Sequence, residues 1–182
     1  MSSEYSVKGS TIRMKFEFVR DRFGADAEAT MRARARHRKE LAALLDVSWI
    51  PFSVCEEVNH YVARAHFGGD LTGLRQLGAF AADRSLNSIY KVWVTGKTFT
   101  EFLLQMSRYH KTMYSAGDLA VVVGEDQTSA TLSFANAPQY SQAELHTSTG
   151  FFLGSAKVMG ISDVTHVAVL VPNGMEIKLR WR

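Results

Sequence analysis

The sequence has little of what staples, breaks or anchors a chain: one cysteine and three prolines in 182 residues. A single cysteine cannot close an internal disulfide, which excludes a small secreted disulfide scaffold. It is also too few for a Cys-rich structural zinc site. With 46% hydrophobic residues and so few prolines, the chain is globular, not disordered. No window approaches about 18 uninterrupted apolar residues, and the opening MSSEYSVKGS lacks an apolar signal core. The reading is a cytoplasmic protein with no membrane span. Net charge is small as well, at +3, but it is not evenly spread. Residues 1–46 hold 10 Lys+Arg and 7 Asp+Glu, whereas residues 47–182 hold 11 of each. Nucleophile elbows, phosphate-cradling glycine loops and zinc motifs are missing too, so no catalytic residue is assigned and the chain is read as a non-enzyme.

What is present is a clear change of hydrophobic period near residue 115. Before it, apolar residues recur at helical spacing. Ser10 is a good N-cap, followed by Ile12, Phe16, Val19 and Phe23, with Gly24 at the end. Residues 25–36 favour helix by propensity. Pro51 suits the first turn of a helix carrying Cys55, Val58 and Val62 on one face. Asp70 can cap a further helix, and Phe99, Phe102, Met106, Tyr109 and Met113 mark a deeply packed one. After residue 115 the residues alternate. Leu119–Val123 and Ala130–Phe134 form one hairpin, and Val164–Val171 and Met175–Trp181 another, the latter turned by Pro172-Asn173-Gly174. A helix over 141–159 lies between them. In the last strand Met175, Ile177, Leu179 and Trp181 face one way and Glu176, Lys178, Arg180 and Arg182 the other, which marks an antiparallel sheet with one wet face. The prediction is a single α+β domain over residues 1–182. It has a helical part, 10–114, and a β-β-α-β-β part, 115–182, its antiparallel sheet covered by helices.

The C-terminal segment, with a strand ending in Asn136-Ala137-Pro138 and a helix carrying Gly150 and Gly154 before Gly160, resembles a superfamily. That superfamily joins TRAPP trafficking subunits, vinyl-reductase-type ligand domains and haem-containing H-NOX domains. The opening YSVKGSTIRMKFEFVRDRFG is similar to a myxobacterial paralogous family of about this length placed beside it. The resemblance implies a fold and two roles, assembly of complexes or sensory ligand binding, and no active site. Gly150 and Gly154 share one helix face, each costing about 1 kcal/mol against alanine, which predicts bare backbone laid close against the sheet.

Several residues are candidates for chemistry. His110 shares a helix face with Phe99, Leu103 and Met106. In H-NOX domains the haem-ligating histidine occupies a broadly similar helix, but those domains carry a Tyr-x-Ser-x-Arg motif that holds the propionates, and no such motif occurs here. His110 is therefore read first as a satisfied core residue. The cofactor expectation is none, with haem through His110 the minor alternative. Trp93, Phe99, Phe102, Met106, His110 and Phe152 could line an apolar ligand pocket between helices and sheet, although a core without a cavity is the preferred reading of them. Glu57 and His60 have one-motif metal spacing without a second copy, so no metal is assigned. Cys55 is read as core. Arg32, Arg34, Arg36, Arg38 and Lys39 lie on a helix without forming one basic stripe, which argues against nucleic acid; a solvated helix face is the first reading and an acidic protein partner the second. The functional expectation is a non-catalytic adaptor or regulatory module, dimeric or in a larger complex. The alternative is a sensory domain that binds an apolar small molecule.

Overall fold

The computed structural model describes residues 5–182. The helical half contains α1 (Gly9–Phe23), α2 (Ala25–Arg34), α3 (Arg38–Ala42), α4 (Phe52–His66), α5 (Leu74–Leu86) and α6 (Phe99–Met113). Short 3-10 turns at Leu71–Gly73 and Lys91–Trp93 flank α5. The second half runs β3 (Asp118–Val123), β4 (Ser129–Ala135), α7 (Gln142–Val158), β5 (Val164–Val171) and β6 (Gly174–Trp181). Its four strands pair antiparallel in the order β3-β4-β6-β5. The α+β class and the β-β-α-β-β order are as the periodicity predicts.

Local chemistry explains most boundaries. Gly24 ends α1 at φ 96, and Gly68 and Gly69 follow α4 at φ 62 and φ 90, conformations open to glycine at no steric cost. Thr98 and Glu101 form a reciprocal capping box at the start of α6. Asn173 takes φ 59 in the turn between β5 and β6. One expected cap differs. Lys8, not Ser10, precedes α1, and Ser10 is buried in its first turn. The cause is a further pair of strands: β1 (Ser6–Lys8) pairs antiparallel with β2 (Trp49–Pro51) and sets where the helix begins. Pro51 likewise ends β2 and caps α4 instead of entering it.

The inner face of the sheet supplies Leu119, Leu132, Phe134, Met175, Ile177, Leu179 and Trp181 to the core. Each fully buried side chain of this kind contributes about 1.5–3 kcal/mol. Helix α7 lies against α5 so closely that backbones touch. A Cβ on Gly150 would overlap the Arg75 carbonyl, one on Gly154 would crowd the Ala79 backbone, and one on Gly78 would overlap the Thr147 carbonyl. The expected close approach is therefore real, but it is made to helix α5 and not to the sheet. Glycine spacing reports which helix face is bare, not what packs on it.

Candidate functional site

Between α1, α5, α6 and α7, on the inner side of β3 and β4, packing leaves a cavity of about 130 Å³. Most of its wall is apolar. Met14 comes from α1, Met106, Tyr109 and Met113 from α6, and Phe151 and Phe152 from α7. Trp93, in the 3-10 turn, is sandwiched between Tyr90 and Tyr109 with ring centroids at 4.2 Å and 4.0 Å.

One end is polar and buried. Lys15, Tyr114, Glu144 and Ser148 line it. Lys15 falls beside Ile12 and Phe16 on the inward face of α1 and is 2% exposed; Glu144, in the first turn of α7, is 1% exposed. The Lys15 ammonium donates to Asn59 Oδ1 at 2.8 Å. Tyr114 and Ser148 donate to Glu144 Oε1 at 3.0 and 3.1 Å. Asn59 Nδ2 reaches Glu144 Oε2 at 3.5 Å and Glu56 Oε1 at 3.4 Å. Glu56 in turn accepts from Ser141, the residue that caps α7. Burial raises the pKa of Glu144, against the pull of the Lys15 charge, and burial raises Glu56 likewise.

His110 borders the same cavity. Its ring stacks on Tyr114, with centroids 4.9 Å apart, and meets the edge of Phe134. Nε2 lies 2.8 Å from the Tyr140 hydroxyl, and Nδ1 is buried with no hydrogen-bond partner among the described residues. Burial pushes its pKa down to about 4, with Asp118 pulling weakly the other way, so the imidazole is neutral at pH 7. A neutral ring held at Nε2 leaves Nδ1 available to a further partner, as a lone pair when Nε2 carries the proton.

Of the six residues expected to line a pocket, Trp93, Met106, His110 and Phe152 do so. Phe99 and Phe102 do not: Phe99 packs edge-on against Trp181, and Phe102 is fully buried in the core. The preference for a core without a cavity is corrected, because these side chains leave space between them. The reading of His110 as satisfied is half right, since one nitrogen is paired and the other is not. The sequence reading missed Lys15, Asn59, Tyr114 and Glu144. A lysine placed within the apolar arc of α1 was the available signal.

The other candidates resolve differently. Glu57 accepts from the Arg36 backbone amide and lies beside His37, while His60 is part-exposed. Among the described residues no group of three or more His, Cys, Asp or Glu is placed to hold a metal. Cys55 is buried, and burial raises its thiol to about 12. The basic run does not form one continuous helix, because α2 stops at Arg34 and Ala35 is extended. Arg32 lies 2.8 Å from Glu28 and 3.8 Å above the Phe16 ring, so its charge is already engaged within the fold. Arg34, Arg36, Arg38 and Lys39 are exposed.

A helical half set on a four-stranded antiparallel sheet, with a cavity at their junction, is the H-NOX-like α+β fold. Three solved structures carry this likeness. The chain matches the Fe(II) unliganded H-NOX protein from K. algicida with a TM-score of 0.75 and 12% identity over 96% of each chain. It matches the H-NOX protein from S. oneidensis in the Fe(II)NO state at 0.76 and 10%, covering 96% of this chain and 99% of that one. It matches a protein from work on haem distortion in the H-NOX family at 0.74 and 13%, over 96% and 94% of the two chains. No family model matches the sequence, and no curated protein matches it. Of the resemblances in the sequence, the H-NOX one gains full-length structural support, which does not extend to the TRAPP, vinyl-reductase or myxobacterial ones. The expectation of no cofactor is overturned here: the neighbours are Fe(II) and haem proteins, so haem enters as a candidate for this fold. Among the described residues no helix is long and apolar enough to cross a membrane.

Proposed function

We propose that the chain is a non-catalytic sensory domain that binds a small molecule in the cavity between its helical half and its sheet. The observation that carries this reading is the cavity itself. Its walls are mostly apolar and one end is closed by buried polar groups, the form expected of a ligand site. The H-NOX likeness supports sensing over the adaptor role, which has no comparable feature behind it.

Haem is the ligand that the neighbours bring, and His110 is the residue that would hold its iron. At the iron the residues fit: the imidazole is neutral and buried, one nitrogen is fixed by Tyr140, and the other lacks a partner. When bound, haem would supply an iron centre with a position for a further small ligand. The surroundings fit less well. The cavity is close in size to one that takes benzene, about 150 Å³, and below the ~300 Å³ of common cofactor pockets. No arginine lines it, and its one lining cation, Lys15, sits beside Glu144, so two propionates would find no spare counter-charge there.

The test is uptake by the purified protein. Native mass and an absorption spectrum are recorded before and after adding haemin or small hydrophobic compounds, for the wild type, His110→Ala and Ala81→Phe, which fills the cavity from its α5 wall. The expected result is one bound molecule per chain, lost in Ala81→Phe. A Soret shift lost in His110→Ala would identify haem as that molecule. An apo mass with every compound would overturn the reading.

A further inference from the structure

The chemistry of the cavity's polar end narrows the ligand, on the assumption made above that the cavity is the ligand site. We infer that it takes a neutral molecule of about one ring bearing a hydroxyl, held between Lys15 and Glu144. Size comes first. About 130 Å³ matches a single six-membered ring with one substituent, judged against the ~150 Å³ cavity that takes benzene. The walls suit a flat apolar body, because Trp93, Tyr109 and Phe152 offer ring faces and edges while Met14, Met106 and Met113 offer adaptable thioethers.

The hydrogen-bond inventory then selects the substituent. A lysine ammonium carries three donors. Lys15 is 2% exposed, and among the described residues its hydrogen-bond partners are Asn59 Oδ1 and, more weakly, the Cys55 thiol, which leaves one of the three donors. Glu144 Oε1 is filled by Tyr114 and Ser148, but Oε2 has a single contact, from Asn59 at the limiting distance of 3.5 Å. Lys15 and Glu144 both line the cavity, so a spare donor and a spare acceptor border a common space. A hydroxyl accepts from the first and donates to the second. A carbonyl serves Lys15 alone, and an amine serves Glu144 alone. Charge points the same way. Glu144 and Glu56 already share one buried ammonium, so a carboxylate ligand would add a further anion and an ammonium ligand would confront Lys15. A buried charge without its own partner is strongly disfavoured.

Calorimetric titration with phenol, toluene, benzoate and benzylamine tests this. Phenol and toluene have the same shape, and water holds phenol better, so toluene wins in a merely apolar hole. The expected result is that phenol binds at least as tightly as toluene, with benzoate and benzylamine about tenfold weaker or undetectable. Lys15→Met should cost phenol about tenfold and leave toluene unchanged, while Ala81→Phe should abolish both. Toluene binding more tightly than phenol in the wild type would overturn the inference whether or not Lys15→Met folds, and would leave the cavity reading standing. Failure of both phenol and toluene to bind would instead remove the cavity as a ligand site.

Discussion

The two sides of helix α7 solve opposite problems. On one, Gly150 and Gly154 bring its backbone onto that of α5, with Gly78 answering from the other helix, and no side chain fits between them. On the other, Glu144, Ser148, Phe151 and Phe152 border an open volume. Close-packed interiors remove voids of this size unless something stops the collapse. The glycine crossing supplies the stop. Once two helix backbones are in contact their separation cannot shrink, so α5 and α7, which both line the cavity, present it with one rigid wall. Rigidity on one side is what permits space on the other.

The change that breaks this contrast most severely is Gly150→Leu. Its Cβ meets the carbonyl and Cα of Arg75, backbone atoms that cannot rotate away. The expected loss is about 5 kcal/mol, enough to unfold a typical domain, read from the urea midpoint. A loss under about 1 kcal/mol would mean that the helices slide apart freely and do not set the cavity's width. Next in size is Glu144→Leu on the open side. It leaves the Tyr114 and Ser148 hydroxyls without their acceptor and Lys15 with less counter-charge, at a cost of about 3–5 kcal/mol. A neutral outcome would show that the polar end is solvated instead of buried.

His110 sharpens the comparison through pH. Its folded pKa, about 4, lies below the usual 6.5, so the unfolded chain binds a proton first as pH falls. Stability from this group is complete above pH 6.5 and is lost between there and pH 4, by roughly 3 kcal/mol. Glu144 and Glu56 run the other way. Their folded pKa values are raised, so their contribution is greatest in acid and is lost as pH rises through those values. The difference between wild type and His110→Phe isolates the imidazole: the variant should have the flatter profile between pH 6.5 and 4. Parallel profiles would show that the ring is open to water.

Much of this architecture can be read from the residues, and what cannot has a physical reason. Helix α6 and the β5–β6 hairpin are legible because a 3.6-residue period and an Asn-Gly turn are local signals. Strands β1 and β2 are not, being three residues each and existing only through pairing across some 40 residues of chain. The aromatic part of the site is legible as a set of large apolar side chains near one another, yet no spacing says whether they fill their space, and Phe99 and Phe102 are spent on the core. The polar end is the hardest to read. Lys15 and Glu144 are each ordinary surface residues until α1 and α7 come together, although Lys15 interrupts an apolar face and gives itself away by that.

The arginine segment provides the smallest and most discriminating test, because position in the chain makes its members look alike and the fold separates them. Arg32 closes over Phe16 and shares the buried Glu28 with Arg20. Arg32→Glu puts two carboxylates together and uncovers the ring, for an expected loss of about 2 kcal/mol. Arg34 ends α2, and Arg38, whose guanidinium only touches the Ala35 carbonyl, opens α3; both are exposed. The double reversal Arg34→Glu, Arg38→Glu should stay within about 0.5 kcal/mol of wild type while weakening any acidic protein partner of this surface. Thermal melts compare the stabilities, and pull-down with each variant compares the binding. A destabilised double variant would mean that the segment holds the fold together, and unchanged binding would free the surface of any role in recognition.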